Sequence, residues 1–77
     1  MSYNGHKNRN HWNVSLWLNN DERLYRGAIS HIRAAKNKDA AARAFLYTLK
    51  SHKEDRTPDG APYSVSSIRA AMIGLEA

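Results

Sequence analysis

Trp12-Asn13-Val14-Ser15-Leu16-Trp17-Leu18-Asn19-Asn20-Asp21-Glu22 is the stretch whose reading decides the fold. Its apolar residues fit two periods. Trp12, Val14, Leu16 and Leu18 alternate as on a strand, whereas Trp12–Leu16 and Val14–Trp17–Leu18 follow the i, i+3, i+4 spacing of a helix. A lone strand would leave its backbone N–H and C=O groups without partners, and no second strand candidate exists elsewhere in the chain. The segment therefore reads as a helix. The polar cluster after it closes that helix and opens the next: Asn19 or Asn20 serves as N-cap, with Asp21 and Glu22 in the first turn, against the positive end of the helix dipole. Trp12 and Trp17 are five residues apart, about 140° around a helix, and cannot face one neighbour. One is expected to fill the core, the other to hold the Tyr3-Asn4-Gly5 segment or meet a partner. Asn13, between them, is expected to bond to a turn or to the N-terminal arm.

Working outward, residues 1–8 read as a flexible arm, and Asn8 or Asn10 as the cap of the first helix. In the other direction, Leu24, Tyr25, Ala28, Ile29, Ile32 and Ala35 form an apolar stripe at helical spacing, with Arg23, Arg26, Ser30 and Arg33 opposite. Asn37-Lys38-Asp39 is a second break and cap. Ala40-Ala41-Ala42-Arg43-Ala44 has high helix propensity, and Ala41, Ala44, Phe45, Thr48 and Leu49 make the buried stripe of a helix running to about Lys53. Glu54 to Pro62 is the one substantial loop, with Thr57-Pro58-Asp59-Gly60 suited to a type I turn. Ser64 then caps a helix whose Val65, Ile68, Met72 and Leu75 share a face. The expectation is an all-α chain, a single small domain of about four short helices over residues 9–77 behind the arm, with no internal repeat.

The totals bound the function. Seventy-seven residues make one domain, with no cysteine to supply a disulfide or a thiolate zinc site. No apolar run approaches the roughly 18 residues of a membrane span, and the polar N-terminus lacks the apolar core of a signal peptide, so a soluble, intracellular protein is expected. The net charge of +5 favours polyanions or acidic protein surfaces.

Catalytic and cofactor signatures are lacking. Asp55, Thr57, Asp59 and Gly60 match the first half of a calcium loop, but position eight is Pro62 and position twelve is Ser66, so the segment reads as a capped turn. His6, His11, His31 and His52 show no metal-ligand spacing. His31 and His52 fall on polar sides of their helices and are expected to face solvent, whereas His6 and His11 are expected to make polar contacts. Ser15, Ser30, Ser64, Ser66 and Ser67 offer hydroxyls, but there is no nucleophile elbow, no paired buried carboxylates and no phosphate-cradling glycine loop. No enzyme activity, cofactor or metal is expected. What remains is a basic face: Arg23, Arg26 and Arg33, with Lys36 beside them, form the candidate partner-binding set, weighed against a solvated face partly neutralised by a Glu22–Arg26 pair. Arg43, Lys50 and Lys53 recur on the third helix. Nucleic-acid binding also asks for aromatic or polar base readers among the cations. Tyr25 and Tyr47 read as core residues.

Tyr3-Asn4-Gly5, Asn8, Trp12-Asn13-Val14, Leu16-Trp17 and Asn20-Asp21-Glu22 together carry a pattern that resembles a small family of phage and plasmid proteins. Departures are His6 where that pattern has tryptophan, Lys7 and Asn10 in place of a Thr and Glu, and His11 in place of a second Thr. The resemblance covers about 20 residues, implies an origin in mobile elements, and brings no functional residues with it. Joined to the small size and the basic face, it makes the leading expectation a non-enzymatic protein in the host cytoplasm. Such a protein would bind and inhibit a host defence protein or ribonucleoprotein complex, of the anti-CRISPR or anti-restriction kind. The alternative is a small basic nucleic-acid-binding protein using Arg23, Arg26, Arg33 and Lys36.

Overall fold

The structure, a computed structural model, describes residues 8–75. Four helices follow in order: α1 (Arg9–Asn20), α2 (Glu22–Ala34), α3 (Lys38–Ser51) and α4 (Val65–Ile73). No strand occurs among the described residues, only an isolated bridge between Arg56 and Pro62. The chain is all-α, as the spacing of its apolar residues predicts. None of these helices is long and apolar enough to cross a membrane.

Each helix start is held by a short polar side chain taking up a backbone N–H that the helix leaves open. Asn8 accepts from His11 N at 3.0 Å, and Asn37 from Ala40 N at 2.8 Å. Asn8 thus belongs to α1; the rest of the arm assigned to residues 1–8 lies outside the described residues. At α4, Ser64 and Ser67 exchange hydrogen bonds in a capping box. The break between α1 and α2 corrects the expectation of an Asn19 or Asn20 cap. Asp21 alone takes extended backbone there (φ −95°, ψ 117°), and its side chain accepts from Leu24 N at 3.1 Å. Asn19 and Asn20 are still helical, so their amides donate back to the Ser15 and Leu16 carbonyls. Helix α3 stops at Ser51, two residues short of Lys53. Lys53 adopts φ 59°, its N–H reaches the Lys50 carbonyl and Glu54 N reaches the Leu49 carbonyl. This is the left-handed closing turn that usually employs glycine.

The core is built from Val14 and Leu18 of α1, Leu24, Ala28 and Ile29 of α2, Ala41, Ala42, Phe45 and Leu49 of α3, and Ile68, Ala71 and Met72 of α4, with Tyr63 and Leu75 completing it. Helix α4 packs on both α1 and α3, and α2 covers their other side. Because α3 has two neighbours, its buried sector includes Ala42, and Ala44, expected inside, is exposed. The α2–α3 approach is close: a Cβ on Gly27 would stand 3.0 Å from Phe45 Cε1. His31 is half-buried at this seam rather than solvent-facing. Its Nδ1–H donates to the Gly27 carbonyl at 2.7 Å, its Nε2 shares a 3.2 Å hydrogen bond with Thr48 Oγ1, and its ring lies 4.9 Å from Phe45. His52 is exposed.

The α3–α4 loop is fastened to α1 by a polar clasp. Asn13 is 1% exposed; its Nδ2 donates to Asp59 Oδ2 at 2.9 Å and its Oδ1 accepts from Thr57 Oγ1 at 2.6 Å. Trp17 Nε1 donates to the same Asp59 oxygen at 2.9 Å. Thr57 Oγ1 accepts from Ala61 N, and Gly60, at φ 91°, donates its N–H to the Thr57 carbonyl, closing the expected turn. Asn13 bonds to a turn, as expected. The two tryptophans are both half-buried, so neither fills the core alone; Val14 and Leu18, between and after them, occupy its centre.

Asn13→Ala leaves the Thr57 hydroxyl without its partner in a buried site and should cost about 2–3 kcal/mol, read as a lower urea midpoint. The Asp59 carboxyl is held below its ordinary range by the Asn13 and Trp17 hydrogen bonds. A lowered folded-state pKa means stability that is present above the ordinary carboxylate range and lost as pH falls through the lowered folded-state value. Urea unfolding from about pH 5 down to about pH 2 should therefore show a shallower acid decline in Asp59→Asn than in the parent chain. Equal slopes would refute the clasp's contribution.

Candidate interaction face on helix α2

Helix α2 turns Leu24, Ala28 and Ile29 inward, which leaves Tyr25, Arg26, Ser30 and Arg33 on its outer side. With Ile29 and Ala34 these four line an open hollow of about 470 Å³ along the helix surface. Ile29, 9% exposed, forms its floor, and Tyr25, 37% exposed, lines it as well. Arg26 pairs with Glu22 at 3.2 Å, as expected from their i, i+4 spacing, but with side chains 75% and 77% exposed. Such a pair contributes well under about 1 kcal/mol and yields readily to a better partner. Arg33 forms no ion pair among the described residues, so the hollow is electropositive.

The structure splits the expected partner-binding set. Arg26 and Arg33 meet at the hollow. Arg23 is instead engaged by the loop: its Nη1 donates to Glu54 Oε1 at 3.0 Å and its Nη2 to Oε2. That fork grip holds the Glu54 carboxyl below its usual range and ties the start of α2 to the end of α3. Lys36 lies past the C-cap Ala35, in the turn before α3, exposed and outside the hollow.

The main residues that sequence reasoning misses are tyrosines. Tyr25, expected in the core, is exposed; Tyr47, also expected there, is 77% exposed. For Tyr47 a signal exists in the chain: it follows Phe45 by two residues, about 200° around the helix, and the two cannot share a face. Among the described residues the buried tyrosine is Tyr63, whose hydroxyl is pushed up to about 12, first by burial and then by the nearby Glu54 carboxylate.

No group of three or more His, Asp or Glu among the described residues is arranged to hold a metal ion. In the calcium-like loop, Thr57 Oγ1 and Asp59 Oδ2 are engaged in the α1 clasp. Ser66 Oγ lies 3.1 Å from His11 Nε2, linking the starts of α4 and α1 on the exposed surface and giving His11 its polar contact. His6 lies outside the described residues.

A four-helix domain with a loop clasped to its first helix and one electropositive outer hollow is thus the class of protein the chain defines. Over residues 1–75 it matches a family described as "Family of unknown function (DUF7249)", and it belongs to that family. No match was found among curated proteins or solved structures.

Nitration by tetranitromethane, mapped by peptide mass spectrometry, should modify Tyr25 and Tyr47 well before Tyr63. Modification of Tyr63 ahead of Tyr25 would contradict the inside–outside assignment of these rings.

Proposed function

We propose that this chain is a small non-enzymatic binding protein that occupies an acidic patch on a partner protein through the outer face of α2. The observation that carries the reading is the hollow itself, lined by apolar Tyr25, Ile29 and Ala34 together with Arg26 and Arg33. Tyrosine and arginine around a desolvated floor are the residues that concentrate binding energy at protein interfaces. A phosphate backbone calls for cations but has little use for an apolar floor. The net charge of +5 steers the chain toward such a patch and speeds encounter. With the resemblance of its N-terminal pattern to phage and plasmid proteins, the reading becomes stoichiometric inhibition of a host defence complex in the host cytoplasm. Blocking a surface requires complementarity and no chemistry, within reach of a domain this small.

The test compares the tagged chain with Arg26→Glu/Arg33→Glu in capture from nuclease-treated bacterial lysate, the captured complex being identified by mass spectrometry. Circular dichroism confirms that both are folded, since the substitutions lie on an exposed face. Loss of capture by about tenfold or more, roughly 1.4 kcal/mol, is the expected result. Capture unchanged by the charge reversals would overturn the role of α2, and capture abolished by nuclease alone would point to nucleic acid instead.

A further inference from the structure

The outer side of α3 carries a second surface, separate from the α2 hollow. Arg43, Tyr47 and Lys50 stand at i, i+4 and i+7, one stripe along the helix, about 10 Å from end to end. All three are exposed, Tyr47 at 77% and the Arg43 side chain at 68%. The fold makes no use of the Tyr47 side chain: it lies outside the core cluster, and its hydroxyl forms no hydrogen bond among the described residues. Tyrosine is also a poorer helix former than the lysine, glutamate or glutamine that an idle surface position usually holds. Asp39 is the acid on this stripe. It accepts from Arg43 Nε at 2.9 Å, leaving the two Nη groups outside the ion pair. Arg69 of α4 acts on Asp39 as well and adds a third cation to this side of the molecule.

We propose that the Arg43–Tyr47–Lys50 stripe binds single-stranded nucleic acid, with the Tyr47 ring stacked on an unpaired base and the flanking cations on the adjoining phosphates. An aromatic ring between two cations on a convex helix suits this ligand. Every base offers a π-face, so stacking is sequence-tolerant, while phosphate contacts track the strand. Duplex is the poorer fit, because its bases are already stacked and a tyrosine on a helix surface cannot reach their faces. The residues are separate from those of the α2 hollow, so the two proposals stand or fall independently.

Fluorescence anisotropy tests this with a labelled oligothymidylate longer than the roughly 4–16 nucleotides of a typical single-strand site, and with a hairpin duplex as competitor. The intact chain should bind the single strand at low salt, prefer it to duplex, and weaken as salt rises. Tyr47→Ala should weaken binding about 5- to 100-fold, whereas Tyr47→Phe keeps the ring and stays within about twofold. Lys50→Glu should weaken binding and flatten the salt dependence, and Arg26→Glu/Arg33→Glu should change neither. Tyr47 is exposed, so helicity by circular dichroism should match across the set; were Tyr47→Ala to lose it, Lys50→Glu would decide the outcome alone. Absence of binding at low salt, equal affinity for duplex, or a folded Tyr47→Ala that binds like the parent would each overturn the proposal.

Discussion

The structure depends on one polar contact more than on any apolar one: the Asn13 amide, buried in α1, facing Asp59 and Thr57 of the loop. Burying an amide without partners is costly, so the loop can occupy one position only, the one that satisfies both ends of that side chain. The Trp17 indole on the same carboxylate adds a second anchor a turn further along α1. Since the loop leads directly into Ser64 and α4, holding the loop to α1 also sets where α4 enters the core. A cysteine-free chain of 77 residues has no disulfide with which to do this. The specificity of a hydrogen-bonded amide takes that place, a use of buried polar groups to fix register rather than to add raw stability.

How much of this can be read from the chain alone varies with the range of the interactions. Local chemistry is legible: the choice of helix over strand at Trp12–Leu18, the Asn37 and Ser64 caps, the Thr57–Gly60 turn and the face shared by Ile68, Met72 and Leu75 all follow from residues within a few positions of each other. Misplacements arise where the run of a helix or a distant segment decides. Asp21 rather than Asn19 or Asn20 is the cap because α1 keeps its helical course to Asn20. Ala42 replaces Ala44 in the core because α3 has α4 as well as α2 beside it. His31 leaves the solvent because Thr48 of α3 lies within reach. Arg23 meets Glu54, thirty-one positions away, a partnership that spacing cannot reveal. Tyr47 is different in kind: its angular separation from Phe45 is readable, and grouping tyrosines with the core by composition obscures it.

The candidate surfaces share a design. On α2 and on α3 alike, a tyrosine that the core does not need sits among arginines or lysines on the outer side of a helix whose inner side is packed into the core. Gly27 lets α2 approach Phe45 of α3 closely, and His31 adds its Thr48 and Phe45 contacts to the same seam, so the two helices that carry these faces are held together. Side chains presented from such a scaffold lose less freedom on binding than the same residues on a mobile loop. If both proposed roles hold, an acidic protein patch on α2 and a nucleic-acid strand on α3 would together suit a ribonucleoprotein complex as target.

Three acids of this chain are employed by its architecture, whereas the surplus cations are left to its surface. Asp21 caps α2, Asp59 fastens the loop and Glu54 grips Arg23, each through short, directed hydrogen bonds. Arg33, Lys36, Lys50 and Lys53 form no such bonds among the described residues. Mobile ions attenuate diffuse attraction far more than they disturb short, directed contacts. Under the proposed binding roles, ionic strength would be a handle on association and not on folding: salt would strip a polyanion or acidic partner while the domain keeps its shape, ready to be loaded again.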